Sequence, residues 1–466
     1  MLSLKFKTIN PTTEEIVNEY ENMSYENIDK TVIKAKNAFN TWKENFKKRD
    51  IYLHSFATEF RKNKEHLAKV ATMEMGKPIK EARTEIEKCA WTMEYYADNG
   101  QVFMTDEIVN TDARKSFITF EPLGVIASIM PWNFPYWQAL RFAAPSLIAG
   151  NTIVLKPASA TVQCGLEIEK IFNKVGLPEG VFQTVVGNSN IAEYLIDSDN
   201  VNAVTFTGSV PVGSKVAQRA TSQLKKTVLE LGGSDPFIVC DDADIDKASA
   251  GAVKGRFINC GQSCIASKRF FVVKKVADEF IEKFTQNTKK LHVGDPLDEN
   301  TDIGPLITLQ SLEFIHEVIH SSIKDGAELL LGGERLSRKG YFYEPTILKN
   351  VTPKMRVAKE ETFGPVAPIT IVENEMEAIK FANESEFGLG ASIWTQDLDK
   401  AERLSRLVQS GIVTVNSVVV SDPRVPFGGI KNSGFGRELS KYGLFEFVNI
   451  KSVRFYDQLI RNHHVE

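Results

Sequence analysis

Phe206-Thr207-Gly208-Ser209-Val210-Pro211-Val212-Gly213 reads as a strand running into a glycine turn, with a helix opening near Val212. Such a step offers a helix N-terminus to a cofactor phosphate. The glycine spacing is not G-x-G-x-x-G, however, so an ordinary α/β turn competes with the dinucleotide reading. The pattern recurs along the chain. Strand-like runs at Gly124–Met130, Asn151–Leu155, Ala203–Thr207, Phe237–Cys240, Arg269–Val273, Ile369–Val372 and Ile412–Val415 alternate with helix-length stretches, which predicts a parallel α/β sheet. Before Pro122 the periodicity is helical, over 27–46, 48–75 and 78–99. The uncharged stretch Leu123–Leu140 contains Gly124, Pro131, Asn133 and Pro135, so it predicts a buried strand followed by a functional loop rather than a membrane span.

A length of 466 residues with 42% hydrophobic content allows two or three domains. The formal charge of −4, with no basic arm or acidic tail, argues against nucleic acid and for small-molecule chemistry. Cys89, Cys164, Cys240, Cys260 and Cys264 are scattered and odd in number, and the N-terminus has no apolar stretch of signal-peptide length. Both point to a reducing cytoplasm.

Chemistry concentrates at Asn259-Cys260-Gly261-Gln262-Ser263-Cys264 and at Glu230-Leu231-Gly232-Gly233, a cysteine after a Gly-Gln turn and an acid at a strand end. With Pro131-Trp132-Asn133-Phe134-Pro135, Leu155-Lys156-Pro157, Glu360-Glu361-Thr362-Phe363-Gly364-Pro365 and Pro426-Phe427-Gly428-Gly429, these segments resemble the NAD(P)-dependent aldehyde dehydrogenase superfamily in order and spacing, over nearly the whole chain.

The resemblance implies a Rossmann-type cofactor domain (1–103 and 123–233), an α/β catalytic domain (234–440) and a small β oligomerisation element (104–122 and 441–466) in a homodimer or homotetramer. Cys264 would be the nucleophile, with a lowered thiol pKa, forming a thiohemiacetal. Asn133 and the Cys264 backbone N–H would hold the oxyanion. Glu230 would activate water on the thioester, releasing a free acid. On the cofactor side stand Trp132, Lys156, Gly208, Ser209, Gly213, Leu231, Glu361 and Phe363. Relatives that prefer NAD often carry a Glu three residues after the lysine, where this chain has Ser159. A carboxylate would repel a 2′-phosphate, so NADP or NAD is expected, with NADP favoured.

Arg141 matches an arginine of succinate-semialdehyde dehydrogenases that holds the distal carboxylate, the competing reading being a structural salt bridge. A second arginine of that group is Ile258 here. Arg424 could replace it or be an ordinary loop residue, and Trp137 could line the tunnel or simply pack. The expected reaction is oxidation of succinic semialdehyde to succinate, with general aliphatic aldehyde oxidation as the alternative.

Two motifs stand outside this scheme. Cys260 invites a redox switch with Cys264, against the blander reading of a buried filler. His316-Glu317-Val318-Ile319-His320 matches the H-E-x-x-H zinc hydrolase pattern, with Glu344 or Glu334 as third ligand, although in the superfamily this stretch is a peripheral helix. No metal is expected in the working site.

Overall fold

Strands rich in Val, Ile and Phe are buried on both faces here, because helices cover each side of the sheets they build. The structure, a computed structural model, describes residues 5–456. The first sheet runs in the order Gly434–Phe435, Lys226–Glu230, Ala203–Thr207, Val125–Met130, Thr152–Pro157, Phe182–Thr184, antiparallel only at its first strand. The chain leaves Val125–Met130 toward one edge and later returns to its other side at Ala203–Thr207. That reversal opens a crevice at the carboxyl ends of these two strands, where α/β sheets bind ligands. The second sheet runs Glu328–Leu331, Thr346–Lys349, Val366–Val372, Ser267–Val273, Asp235–Val239, Gly390–Trp394, Ile412–Val415, parallel except at Glu328–Leu331.

Two readings of the sequence change. Leu123–Leu140 holds the expected buried strand, Val125–Met130, and a short loop at 131–134, but from Pro135 it is the helix Pro135–Ala149, all of whose residues are buried. Pro135 occupies the first helical turn, where a missing N–H costs nothing, so it starts a helix instead of breaking one. The helix after Ser209 opens at Val210, earlier than Val212, with Pro211 in its first turn. The strands Lys115–Pro122 and Val448–Phe455, from the two segments of the expected oligomerisation element, pair antiparallel with each other, beside Glu107–Ile108. Residues 457–466 of the expected oligomerisation element lie outside the described residues. Because Gly434–Phe435 joins the first sheet, the chain leaves the second sheet before residue 440.

The helix Ile79–Phe103 ties these parts to the site. Glu81, Glu85 and Lys88 fall one turn apart on one face. Glu81 Oε2 accepts the Asn259 N–H at 2.9 Å. Glu85 pairs with buried Lys77, and its Oε1 accepts the N–H groups of Tyr136 and Trp137 at 2.9 Å each, which caps Pro135–Ala149. Among the described residues no helix is long and apolar enough to cross a membrane.

Candidate active site

The loop bearing Cys264 is held in an uncommon backbone. Asn259 and Cys260 both adopt left-handed φ, 51° and 57°, which costs about 1–2 kcal/mol per residue. Glu81 compensates from one side. From the other, the Asn259 amide donates to the Asn133 carbonyl at 2.8 Å and to the Gln262 carbonyl at 3.1 Å. The Asn133 Nδ2 donates to the same Gln262 oxygen at 3.1 Å, so Asn133 is brought against the chain just before Cys264. Lys268 Nζ donates to the carbonyls of Ser263 and Cys264 at 2.8 Å each. Strain fixed by this many partners belongs to a site whose geometry matters.

Cys264 opens onto a cavity of about 460 Å³, walled also by Lys88, Trp137, Arg141, Ser421 and Phe427. Burial pushes the Cys264 thiol up to about 11, although Arg141 and Lys268 pull the other way. The expected lowering is therefore absent: desolvation outweighs the two cations. Ile258 also lines the cavity.

Arg141 reaches the cavity, but its charge is already matched. It is buried, forms an ion pair with buried Glu438 and stacks on Phe427 at 4.4 Å. Another cation of this wall, half-buried, is Lys88, a residue the sequence reading did not select. Its Nζ donates to Ser421 Oγ at 2.6 Å and lies 4.4 Å from the Trp137 ring. No ion pair reaches it among the described residues. Burial, reinforced by Arg141, lowers it to about 8. Nothing in a charged helical stretch marks one lysine as inward-facing; the one-turn spacing from Glu81 and Glu85 is the signal that could have done so.

Glu230 closes its strand with both carboxyl oxygens buried and unbonded. Burial raises it well above the usual carboxylate range, Glu438 adds to this, and Arg141 opposes it. The carboxyl rests against Gly428, where an added Cβ would come within 2.7 Å of Oε1, and it does not line the Cys264 cavity. The glycine of Pro426-Phe427-Gly428-Gly429 thus makes room for an acid.

The cofactor candidates gather at the crevice of the first sheet. Ser209 precedes the helix Val210–Thr221, and a Cβ on Gly213 would meet Leu231 at 2.3 Å. Lys156 is buried without an ion pair among the described residues, and desolvation lowers it to about 8. Ser159 donates to the Gly187 carbonyl at 3.3 Å and leaves its lone pairs free. Glu361 accepts the Gly233 N–H at 3.0 Å and lies 3.5 Å from Lys268. Phe363 meets Trp132 edge-on at 5.7 Å.

A model described as the aldehyde dehydrogenase family matches residues 3–453. The chain belongs to the aldehyde dehydrogenase family. It is 46% identical over 447 residues to a protein of Synechocystis sp. named a probable NADP(+) succinate-semialdehyde dehydrogenase, covering 96% of this chain and 98% of that one. A succinate semialdehyde dehydrogenase of Escherichia coli, named for NAD(P)+, is 41% identical, with 96% and 97% covered. The solved succinic semialdehyde dehydrogenase of Streptococcus pyogenes, in complex with NADP+, superposes with a TM-score of 0.95 at 35% identity over 97% of this chain and 100% of that one.

Within this aldehyde dehydrogenase fold some candidates stay apart from the cavity. Arg424 is exposed, bonded through Nε and Nη2 to Asp422 at 2.9 and 2.6 Å, and stacked on Trp91. Its own neighbour in sequence takes its charge. Cys260 is buried beside Arg256, its thiol pushed up by burial, and it is a free cysteine. His316 and His320 lie on the helix Leu309–Lys324 and do not line this cavity.

Proposed function

We propose that this aldehyde dehydrogenase oxidises succinic semialdehyde to succinate, with NADP favoured over NAD. The observation that carries the reading is Lys88, an inward cation with no carboxylate partner in the cavity that opens on Cys264. A distal carboxylate would complete the pair and accept from Ser421 once Lys88 turns to it. The functions named for the relatives support the same substrate class. A general aliphatic aldehyde is the second reading, favoured by the mostly apolar wall and by Arg141 being held by Glu438.

In the proposed reaction the Cys264 thiol gives its proton to solvent as the sulfur adds to the aldehyde carbon, giving a thiohemiacetal whose oxygen is anionic. The second N–H of the Asn133 amide and the Cys264 backbone N–H hold the oxyanion. Bound nicotinamide cofactor supplies the hydride acceptor. Glu230 then turns from Gly428 toward Cys264, ionises and takes a proton from the water that cleaves the thioester. Lys156 would meet a 2′-phosphate, and Ser159 offers lone pairs without the repulsion of a carboxylate. The tight Gly213–Leu231 approach keeps the helix N-terminus open to the pyrophosphate.

The chain is further read as a cytoplasmic homodimer or homotetramer. The outer edge of Val448–Phe455, with Ile450 and Phe455 exposed, offers a strand edge and an apolar face to a second copy. Five free cysteines suit a reducing compartment.

The test compares kcat/KM on succinic semialdehyde and butyraldehyde with each cofactor. A charge-assisted hydrogen bond worth about 1.5–3 kcal/mol predicts a preference of roughly 10- to 150-fold for the semialdehyde. A ratio near unity favours the second reading.

A further inference from the structure

We propose that the helix Leu309–Lys324 and the turn after Glu328–Leu331 form a surface site for a divalent transition metal of the zinc class, held by His316, His320 and Glu334. The two histidines stand one helical turn apart, with ring centroids 4.1 Å apart. The His320 Nε2 lies 3.7 Å from Glu334 Oε1, and ligand atoms of all three residues lie within 4.8 Å of one another. A tetrahedral ion with bonds of about 2.0–2.1 Å separates its ligands by roughly 3.4 Å, so side-chain movements of about an ångström close the site.

Proton counting supplies a second, independent argument. Tyr343 Oη donates its only proton to the Gly333 carbonyl at 2.7 Å. At its 3.0 Å contact with His316 Nδ1 the tyrosine oxygen must therefore accept, so His316 carries its proton on Nδ1 and leaves the Nε2 lone pair free. A partner that fixes the tautomer in this way is what metal-bound histidines have behind them. The same hydroxyl anchors Gly333, the residue before Glu334, and the Gly333 N–H donates to Thr346 Oγ1 at 2.9 Å. Helix and turn are thus both held in place by one buried phenol.

The site is a clip and not a hydrolase centre. Glu317, the acid of the H-E-x-x-H pattern, is outside the cluster, and its charge acts on Arg356. Two imidazoles and one carboxylate select zinc, copper or nickel over magnesium or calcium and leave a fourth position for water. The metal would join the helix to the turn without entering the Cys264 chemistry.

The test is calorimetric titration of zinc into metal-stripped protein in a Cys264→Ser background, which removes the one cysteine thiol that is not fully buried among the described residues. One equivalent is expected to bind, at least tenfold more weakly in His320→Ala and in Glu334→Gln, and about tenfold more weakly in Tyr343→Phe, whose imidazole partner is lost. Zinc is expected to raise the Tm of the parent and not that of His320→Ala, while dehydrogenase activity in the Cys264 protein is unchanged by His320→Ala. Equal affinity in the parent and His320→Ala, or zinc bound with no dependence on Glu334 and Tyr343, would overturn the assignment.

Discussion

Replacing Lys88 by methionine removes one charge from the cavity and keeps an unbranched stem of similar length against Trp137. Lys88 has no ion pair to lose, so the fold has little to forfeit, and only a substrate carrying an anion should notice. Loss of a charge-assisted hydrogen bond of about 1.5–3 kcal/mol corresponds to a fall of roughly 10- to 150-fold in kcat/KM for succinic semialdehyde. Butyraldehyde, of equal carbon length, should change by less than about threefold, because uncharged substrates draw on the apolar wall alone. Arg141→Met has the opposite signature. It strands buried Glu438 beside Glu230 and should cost about 3–5 kcal/mol of stability, lowering activity on both aldehydes alike. The assay is initial-rate kinetics on both substrates at saturating NADP, with chemical denaturation as the control for folding. An unchanged substrate ratio in Lys88→Met, with the ratio collapsed only in a fully folded Arg141→Met, would refute the reasoning.

Lys88 sits at about 8, so its cation is present below about pH 8 and lost above it in the free enzyme. The semialdehyde preference should therefore decline as pH rises through that value, and a pH-independent ratio would count against Lys88. The Cys264 thiol, raised to about 11, is protonated at neutral pH, so its alkylation rate in the cofactor-free enzyme should climb about tenfold per pH unit up to pH 9; a plateau near neutrality would contradict this. Lys156→Met should raise KM for NADP by about tenfold and KM for NAD far less, and Ser159→Glu should move preference toward NAD, both read by cofactor kinetics. Glu85→Gln should cost about 3–5 kcal/mol by denaturant unfolding, since it leaves Lys77 buried without a counter-charge and weakens a helix cap.

The parallel sheets were legible because their strands are short β-branched runs buried on both faces. Ala203–Thr207, fully buried, and Ile412–Val415, a half-buried edge strand, both fall where the apolar runs put them. Phe182–Thr184 is too short to carry a pattern, and Pro135 misled because a proline that starts a helix and one that breaks it look alike in sequence. The catalytic candidates could be found from motifs, and the structure gathers Asn133 and Cys264 through the Gln262 carbonyl. What sequence could not supply was pairing across distance. Sequence left Arg141 open between a substrate ligand and a structural salt bridge because Glu438 lies far down the chain, and Lys88 was invisible because the wall it faces, at Ser421, is equally remote. Glu230 was located correctly at a strand end, but its place against Gly428, outside the lining of the Cys264 cavity, depends on side-chain packing no pattern records.

The most direct measurement is a crystal structure of the Cys264→Ala enzyme with NADP and succinic semialdehyde. The account predicts the distal carboxylate within hydrogen-bonding distance of Lys88 Nζ and Ser421 Oγ, with Arg141 still paired to Glu438. A carboxylate seated on Arg424 at the surface, or on an Arg141 freed from Glu438 with Lys88 untouched, would contradict it.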